Sequence, residues 1–164
     1  MTVTVSILIG SESDLDLANK CSETLDSLSI SNSIQVLSAH RTPELLEAHV
    51  RECEAGGTKV FIAMAGLAAH LAGAVASKTV LPIIGVPGDG GPLSGMDALL
   101  STVQMPKGIP VATVAIGSAG AINSAYLAAQ MLGIESESIR SALLKVRQDG
   151  VEAIKLSNKK LADS

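Results

Sequence analysis

Aromatic side chains are almost missing from this chain: one Phe (Phe61), one Tyr (Tyr126) and no Trp in 164 residues. Its core must therefore be filled by Ala, Val, Ile and Leu, packed closely. The same scarcity removes the platforms on which single-stranded nucleic acid stacks. The 12 Lys and Arg residues are scattered and outnumbered by 16 Asp and Glu, leaving a net charge of −4. With neither a basic groove nor aromatic platforms, no nucleic-acid partner is expected. Cysteine is scarce too. Cys21 and Cys53 lie in separate helix-like segments with no CxxC spacing, which reads as buried free thiols in a reducing compartment. Three dispersed histidines, His40, His49 and His70, have no metal-ligand spacing, so no metal site is expected.

No basic, apolar leader opens the sequence; Met1 to Val5 runs straight into an alternating strand pattern, so no targeting segment is expected. Residues Val60 to Ala76 approach the ~18–20 apolar residues that a membrane span requires. Gly66, His70 and Gly73 interrupt that stretch, and its first part reads as a strand. A buried strand running into a buried helix is expected instead, and with it a soluble, cytoplasmic protein with no membrane partner.

What is present is a folded chain: 47% hydrophobic and 17% charged residues are too apolar and too weakly charged for disorder. The length suits one domain over residues 1–164, with a charged helical tail at about 134–162. Short apolar runs alternate with helical patterns. Strands are expected at Val3–Ile9, Ile34–Leu37, Val60–Ala65, Pro82–Val86 and Pro110–Ile116. Helices are expected at Asp14–Leu28, after Thr42, at Leu67–Ser77, near Met96–Val103, at Ala121–Leu132, and as one or two more in Glu135–Leu161. Thr42 is the expected N-cap of the second helix, with Pro43 at its first position and Gly56-Gly57 at its end. Strict β–α alternation with wholly apolar strands implies a parallel sheet covered on both faces. The expected fold is an α/β/α sandwich of flavodoxin-like or Rossmann-like type with an additional C-terminal helix.

In such sheets ligands bind beyond the carboxyl ends of the strands, and the chain's unusual polar residues fall there. After the first strand comes Gly10-Ser11-Glu12-Ser13-Asp14. Exposed backbone N–H groups at that helix start favour an anion such as phosphate, or the serines simply cap the helix. The run is neither a Walker A loop nor GxGxxG. After the second strand comes Ser38-Ala39-His40-Arg41-Thr42. An imidazole such as His40 can give and take a proton within one cycle, and Arg41 offers a fork of donors to phosphate or carboxylate. A structural histidine is the competing reading. Ala65-Gly66-Leu67 follows the third strand. Gly85 to Gly95 follows the fourth, a loop whose glycines suit tight turns, close approach to a ligand, or hinge motion. His70 reads as a buried helix histidine, and His49 as a surface or groove-lining one.

These loops resemble one family closely, the N5-carboxyaminoimidazole ribonucleotide mutases of de novo purine biosynthesis. The matching segments are Gly10-Ser11-Glu12-Ser13-Asp14, Ser38-Ala39-His40-Arg41-Thr42-Pro43, Ala68-Ala69-His70-Leu71, Gly85-Val86-Pro87, Leu93 to Ser101, Gln104 to Val111 and Ala128 to Leu132. They run in order over roughly residues 3 to 132. The resemblance implies an isomerase that moves a carboxylate from the exocyclic nitrogen of an aminoimidazole ribonucleotide to C4. It further implies decarboxylation and recarboxylation with carbon dioxide held in the site, no cofactor, and a homo-octamer. On this resemblance His40 shuttles the proton. Asp14 accepts from the ribose hydroxyls, Arg41 with Ser11 and Ser13 holds the 5′-phosphate, and Ser38 orients His40 or the substrate. Ala65, Gly66 and Leu67 with Ala68 wall a dry pocket for carbon dioxide, with Leu71 among the substrate-binding positions and His70 behind them. Arg41 and Leu67-Ala68-Ala69 favour the mutase over the related carboxylase that takes free carbon dioxide and has Lys after the His. A non-catalytic nucleotide-binding module is the third reading. Two departures from the family pattern stand out: Ala72 in place of Pro, and the Gly88 to Pro92 loop.

Overall fold

The computed structural model describes residues 3–163. Its five strands are β1 (Val5–Ile9), β2 (Asn32–Val36), β3 (Val60–Ala65), β4 (Ile83–Pro87) and β5 (Ala112–Thr113). All pair in parallel, in the order β2-β1-β3-β4-β5. That is the flavodoxin-like order, with its switch point between β1 and β3. The helices are α1 (Leu15–Ser27), α2 (Pro43–Gly56), α3 (Leu71–Ala76), α4 (Met96–Val103), α5 (Gly117–Leu132) and α6 (Glu137–Ala162).

Side-chain alternation along the strands sorts the core into two layers. Val5, Ile7, Ile9, Ile62, Met64, Ile84 and Val86 face one side and pack against Leu17, Cys21 and Leu25 of α1 and Ala121, Ala125, Ala128 and Ala129 of α5. Leu8, Phe61, Ala63 and Ile83 face the other side with Leu46 and Val50 of α2 and Leu71, Ala72 and Val75 of α3. The small residues of α5 let α1 lie close, and Cys21 meets Ser124 across that seam at 3.5 Å. Desolvation there pushes the Cys21 thiol up to about 11, against a smaller opposite effect of the Ser124 hydrogen bond. Tyr126 on α5, with Ile139, Ala142 and Leu143 of α6, packs against the same layer.

Several expectations need correction. The third helix covers only Leu71–Ala76 rather than Leu67–Ser77, because Leu67 takes φ 55, a left-handed conformation that cannot start a right-handed helix. The fifth strand shrinks to Ala112–Thr113 at the sheet edge, where Pro110 has no N–H to donate. The fifth helix then begins at Gly117, four residues before Ala121. Thr42 is the N-cap residue of α2, as expected, but its side chain makes no capping hydrogen bond. Its hydroxyl accepts from the Ser38 N–H (3.0 Å) and donates to the Ser38 carbonyl (3.1 Å), closing the loop after β2 instead. Gly57 ends α2 with φ 93, as a left-handed C-terminal glycine does. Of the one or two helices expected in the tail, the structure forms one, α6. Among the described residues no helix is long and apolar enough to cross a membrane.

Candidate active site

The loops after β1, β2 and β3 converge on a cleft of about 890 Å³ at the carboxyl end of the sheet. Its walls include Ser11, Ser13, Asp14, Ser38, His40, Arg41, Ala65, Gly66, Ala68 and Leu71, the residues that the resemblance assigns to catalysis and substrate binding. The first loop makes one short 3-10 turn, Glu12–Asp14, whose Ser13 N–H donates to the Ser11 hydroxyl at 3.3 Å. Asp14 closes that turn half-buried. Desolvation raises its carboxyl above the ordinary value, partly offset by a hydrogen bond from the Ser11 backbone.

Arg41 is braced rather than free to swing. Its Nε donates to the Ser38 hydroxyl (3.3 Å) and its Nη2 to the Gly10 carbonyl (2.9 Å), tying the loops after β2 and β1 together. Ser38 also accepts from the Arg41 backbone N–H at 3.2 Å. A guanidinium carries five N–H donors, so the fork keeps donors for an anion.

His40 and His70 meet edge to face, Nε2 to Nδ1 at 2.8 Å, with ring centroids 4.9 Å apart. One ring donates and the other accepts, according to their tautomers. His70 is therefore exposed at the N-cap of α3, not buried within a helix as expected; the turn at Leu67 delivers it to the cleft. His49 also departs from expectation. Its Nε2 lies 3.1 Å from the hydroxyl of Ser6 on β1 and 3.3 Å from the Cys53 sulfur, on the sheet side of α2. Burial there lowers its pKa, against a smaller opposing effect of Glu52.

Lys20 and Ser118 also line the cleft and were not singled out from sequence. The Lys20 ammonium donates to the Ser118 hydroxyl at 2.7 Å. Ser118 follows the fifth strand, where the strand-end rule reaches once that strand is placed correctly. Lys20 lies inside α1 and gave no local signal. Among the described residues, no three His, Cys, Asp or Glu side chains gather as metal ligands would.

The family model described as AIR carboxylase matches residues 4–153. The chain belongs to that family. An N5-carboxyaminoimidazole ribonucleotide mutase of Pseudomonas aeruginosa is 47% identical over 154 residues, covering 94% of each chain. A mutase of the same name from Bacillus subtilis is 44% identical, covering 96% of this chain and 97% of its own. Among solved structures, the crystal structure of Treponema denticola PurE superposes with a TM-score of 0.88 at 30% identity, over 96% of this chain and 97% of that one. The three-layer sandwich expected from the β–α alternation is the fold of this family.

Proposed function

We propose that this enzyme converts N5-carboxyaminoimidazole ribonucleotide into 4-carboxy-5-aminoimidazole ribonucleotide, a mutase step of purine biosynthesis. The observation that carries the reading is the His40–His70 pair at 2.8 Å, set in one cleft with the braced Arg41 fork and small-residue wall. Mutase relatives at 44–47% identity over nearly the whole chain support it.

Arg41, with the Ser11–Ser13 turn, holds the 5′-phosphate, and Asp14 accepts from the ribose hydroxyls. The carbamate N–C bond breaks, its electron pair stays on nitrogen, and His40 supplies the proton that nitrogen takes up. Carbon dioxide waits against the small-residue wall of Ala65, Gly66 and Ala68. C4 then attacks it, and the C4 proton returns to the imidazole. One proton enters and one leaves, so the reaction is a net isomerisation, and a neighbouring imidazole suits a group that must act as acid and then base.

The family model's description makes the carboxylase using free carbon dioxide the second reading. The two separate in one assay. Mutase activity forms the C4-carboxylated product from N5-carboxyaminoimidazole ribonucleotide in carbon-dioxide-depleted buffer. A carboxylase forms it only from aminoimidazole ribonucleotide with bicarbonate. His40→Asn is expected to lower turnover by about 10²–10⁴-fold while keeping ribonucleotide binding; full activity in that variant removes the shuttle role.

The same reading includes a cytoplasmic homo-octamer. No residue of α6 is buried, and Leu144, Ile154 and Leu156 are each more than half exposed along it, which suits cover by neighbouring copies. Sedimentation of the purified protein tests the assembly; a monomer overturns it.

A further inference from the structure

Only three described residues other than glycine take a left-handed φ: Ser29, Leu67 and Ser94. A leucine has no intrinsic reason to do so, because its Cβ crowds the backbone there. Such an outlier persists where its surroundings over-determine it, and functional clefts are a common place for it. Leu67 also leaves 54% of its surface exposed, although it is a large apolar side chain on the wall of the cleft.

The turn aims that side chain at one place. Its Cδ2 methyl lies against Gly91, where a Cβ on that glycine would meet it. Gly91, itself at φ 87, is thus the seat of the leucine. Three residues earlier the same loop is fastened to the same wall. The Gly88 N–H donates to the Ala65 carbonyl at 2.8 Å, and a Cβ on Gly88 would lie 3.1 Å from the Gly66 Cα. The loop after β4 is therefore pinned to the loop after β3 at both ends of Gly88–Gly91, by a backbone hydrogen bond at one end and an isobutyl group at the other.

We propose that Leu67 is a positioning residue that clamps Gly88–Gly91 against the small-residue wall, and so decides whether carbon dioxide is recaptured or lost. The inference rests on the mutase reading. Breaking the carbamate bond leaves a neutral, apolar molecule in the cleft beside an amine that has just taken up a proton. Two fates follow. Either C4 attacks it and gives up its own proton, or it escapes to water and forms bicarbonate and a proton, leaving aminoimidazole ribonucleotide behind. An apolar side chain that fills the seam between the two loops resists both the exit of carbon dioxide and the entry of water.

The test compares the unaltered enzyme with Leu67→Gly and Leu67→Ala. Glycine adopts φ 55 without strain, so Leu67→Gly removes the clamp and keeps the turn. Leu67→Ala keeps a Cβ in the left-handed turn and removes only the isobutyl contact. Each is given N5-carboxyaminoimidazole ribonucleotide in buffer containing carbon-13 bicarbonate, and the enzyme-free breakdown rate is subtracted. Mass spectrometry reads the label in the C4-carboxylated product, and chromatography reads the aminoimidazole ribonucleotide released. The expected result is a rise of roughly fivefold or more in both readouts for both variants, with Leu67→Gly melting no lower than the unaltered enzyme. Unchanged label incorporation and release in both variants overturn the clamp while leaving the mutase reading intact. If the unaltered enzyme makes product only from aminoimidazole ribonucleotide and bicarbonate, the mutase reading falls and the clamp falls with it.

Discussion

Gly85 lies in the middle of β4, paired with Ala63 and Thr113, with Thr102 of α4 and Ala72 of α3 packed close to it. A Cβ placed on it would lie 2.8 Å from Val111 Cγ1, 3.3 Å from the Ala72 Cβ, and closer still to Thr102 Cγ2. None of these neighbours can easily withdraw. Thr102 is 2% exposed and its hydroxyl is committed to the Ala98 carbonyl at 2.7 Å. Val111 is β-branched with few rotamers, and the Ala72 methyl has none. Gly85→Ala is therefore an overpacking substitution, with a cost of about 1–3 kcal/mol. For a chain of this size each kcal/mol moves Tm by roughly 2–4 °C, so the melt should fall by roughly 2–12 °C. Gly56→Ala provides the opposite sign. It ends α2 with nothing within 4 Å of the added methyl, and should gain about 0.5–1 kcal/mol. Circular dichroism melts at fixed protein concentration measure both. Adding Thr102→Ser removes the nearest methyl and should recover part of the loss, a coupling that a double-mutant cycle reads directly. If Gly85→Ala melts at or above the parent, or Thr102→Ser gives no recovery, the close-approach argument is wrong.

Two further predictions concern pH. The Asp14 carboxyl is raised by desolvation, so between the unfolded value of about 3.9 and the raised folded value the native state binds more protons. Stability then falls as pH rises through that window, and the charged group is a net cost at neutral pH. Asp14→Asn should therefore shift the urea midpoint upward at neutral pH, with the gain vanishing on acidification, while ribonucleotide affinity is lost. A lower midpoint at neutral pH refutes the assignment. His49 runs the other way: burial lowers its pKa, so its contribution is fully present above the unfolded value of about 6.5 and is lost as pH falls toward the folded value. His49→Gln should flatten the acid slope of stability below neutrality, and an unchanged slope removes His49 as its source.

Much of the molecule was legible in the sequence where one physical rule governs a stretch. Val60–Ala65 is apolar throughout and became the central β3 with the same bounds. Pro43 and the Gly56-Gly57 pair bracketed α2. The strand-end rule then placed Ser11, Asp14, Ser38, His40 and Arg41 on one cleft, because a parallel sheet sends the chemistry of every βα loop to the same edge. What was hidden depended on contacts between distant residues. Leu67 has helical neighbours by composition, and nothing in its local sequence announces the left-handed turn before α3 or its contact with Gly91. His70 joined His40 as a result of that turn. His49 sits in a pattern that fits a surface helix face, and its hydrogen bond to Ser6 on β1, 43 residues away, places it on the sheet side. Lys20 reaches the cleft through Ser118, 98 residues away, a pairing that no local pattern announces.

The single tyrosine gives the protein an unusual optical character. Tyr126 belongs to the α5 layer where Ile139, Ala142 and Leu143 of α6 also pack, and it does not line the cleft. With no tryptophan in the chain, its emission is the only intrinsic fluorescence of note. That emission watches the seam between α5 and α6 rather than the bound ribonucleotide. A tyrosine signal that moves on dilution or in mild denaturant therefore reports the long helix leaving its bed, and a titration with substrate that leaves the signal flat is no sign of failed binding.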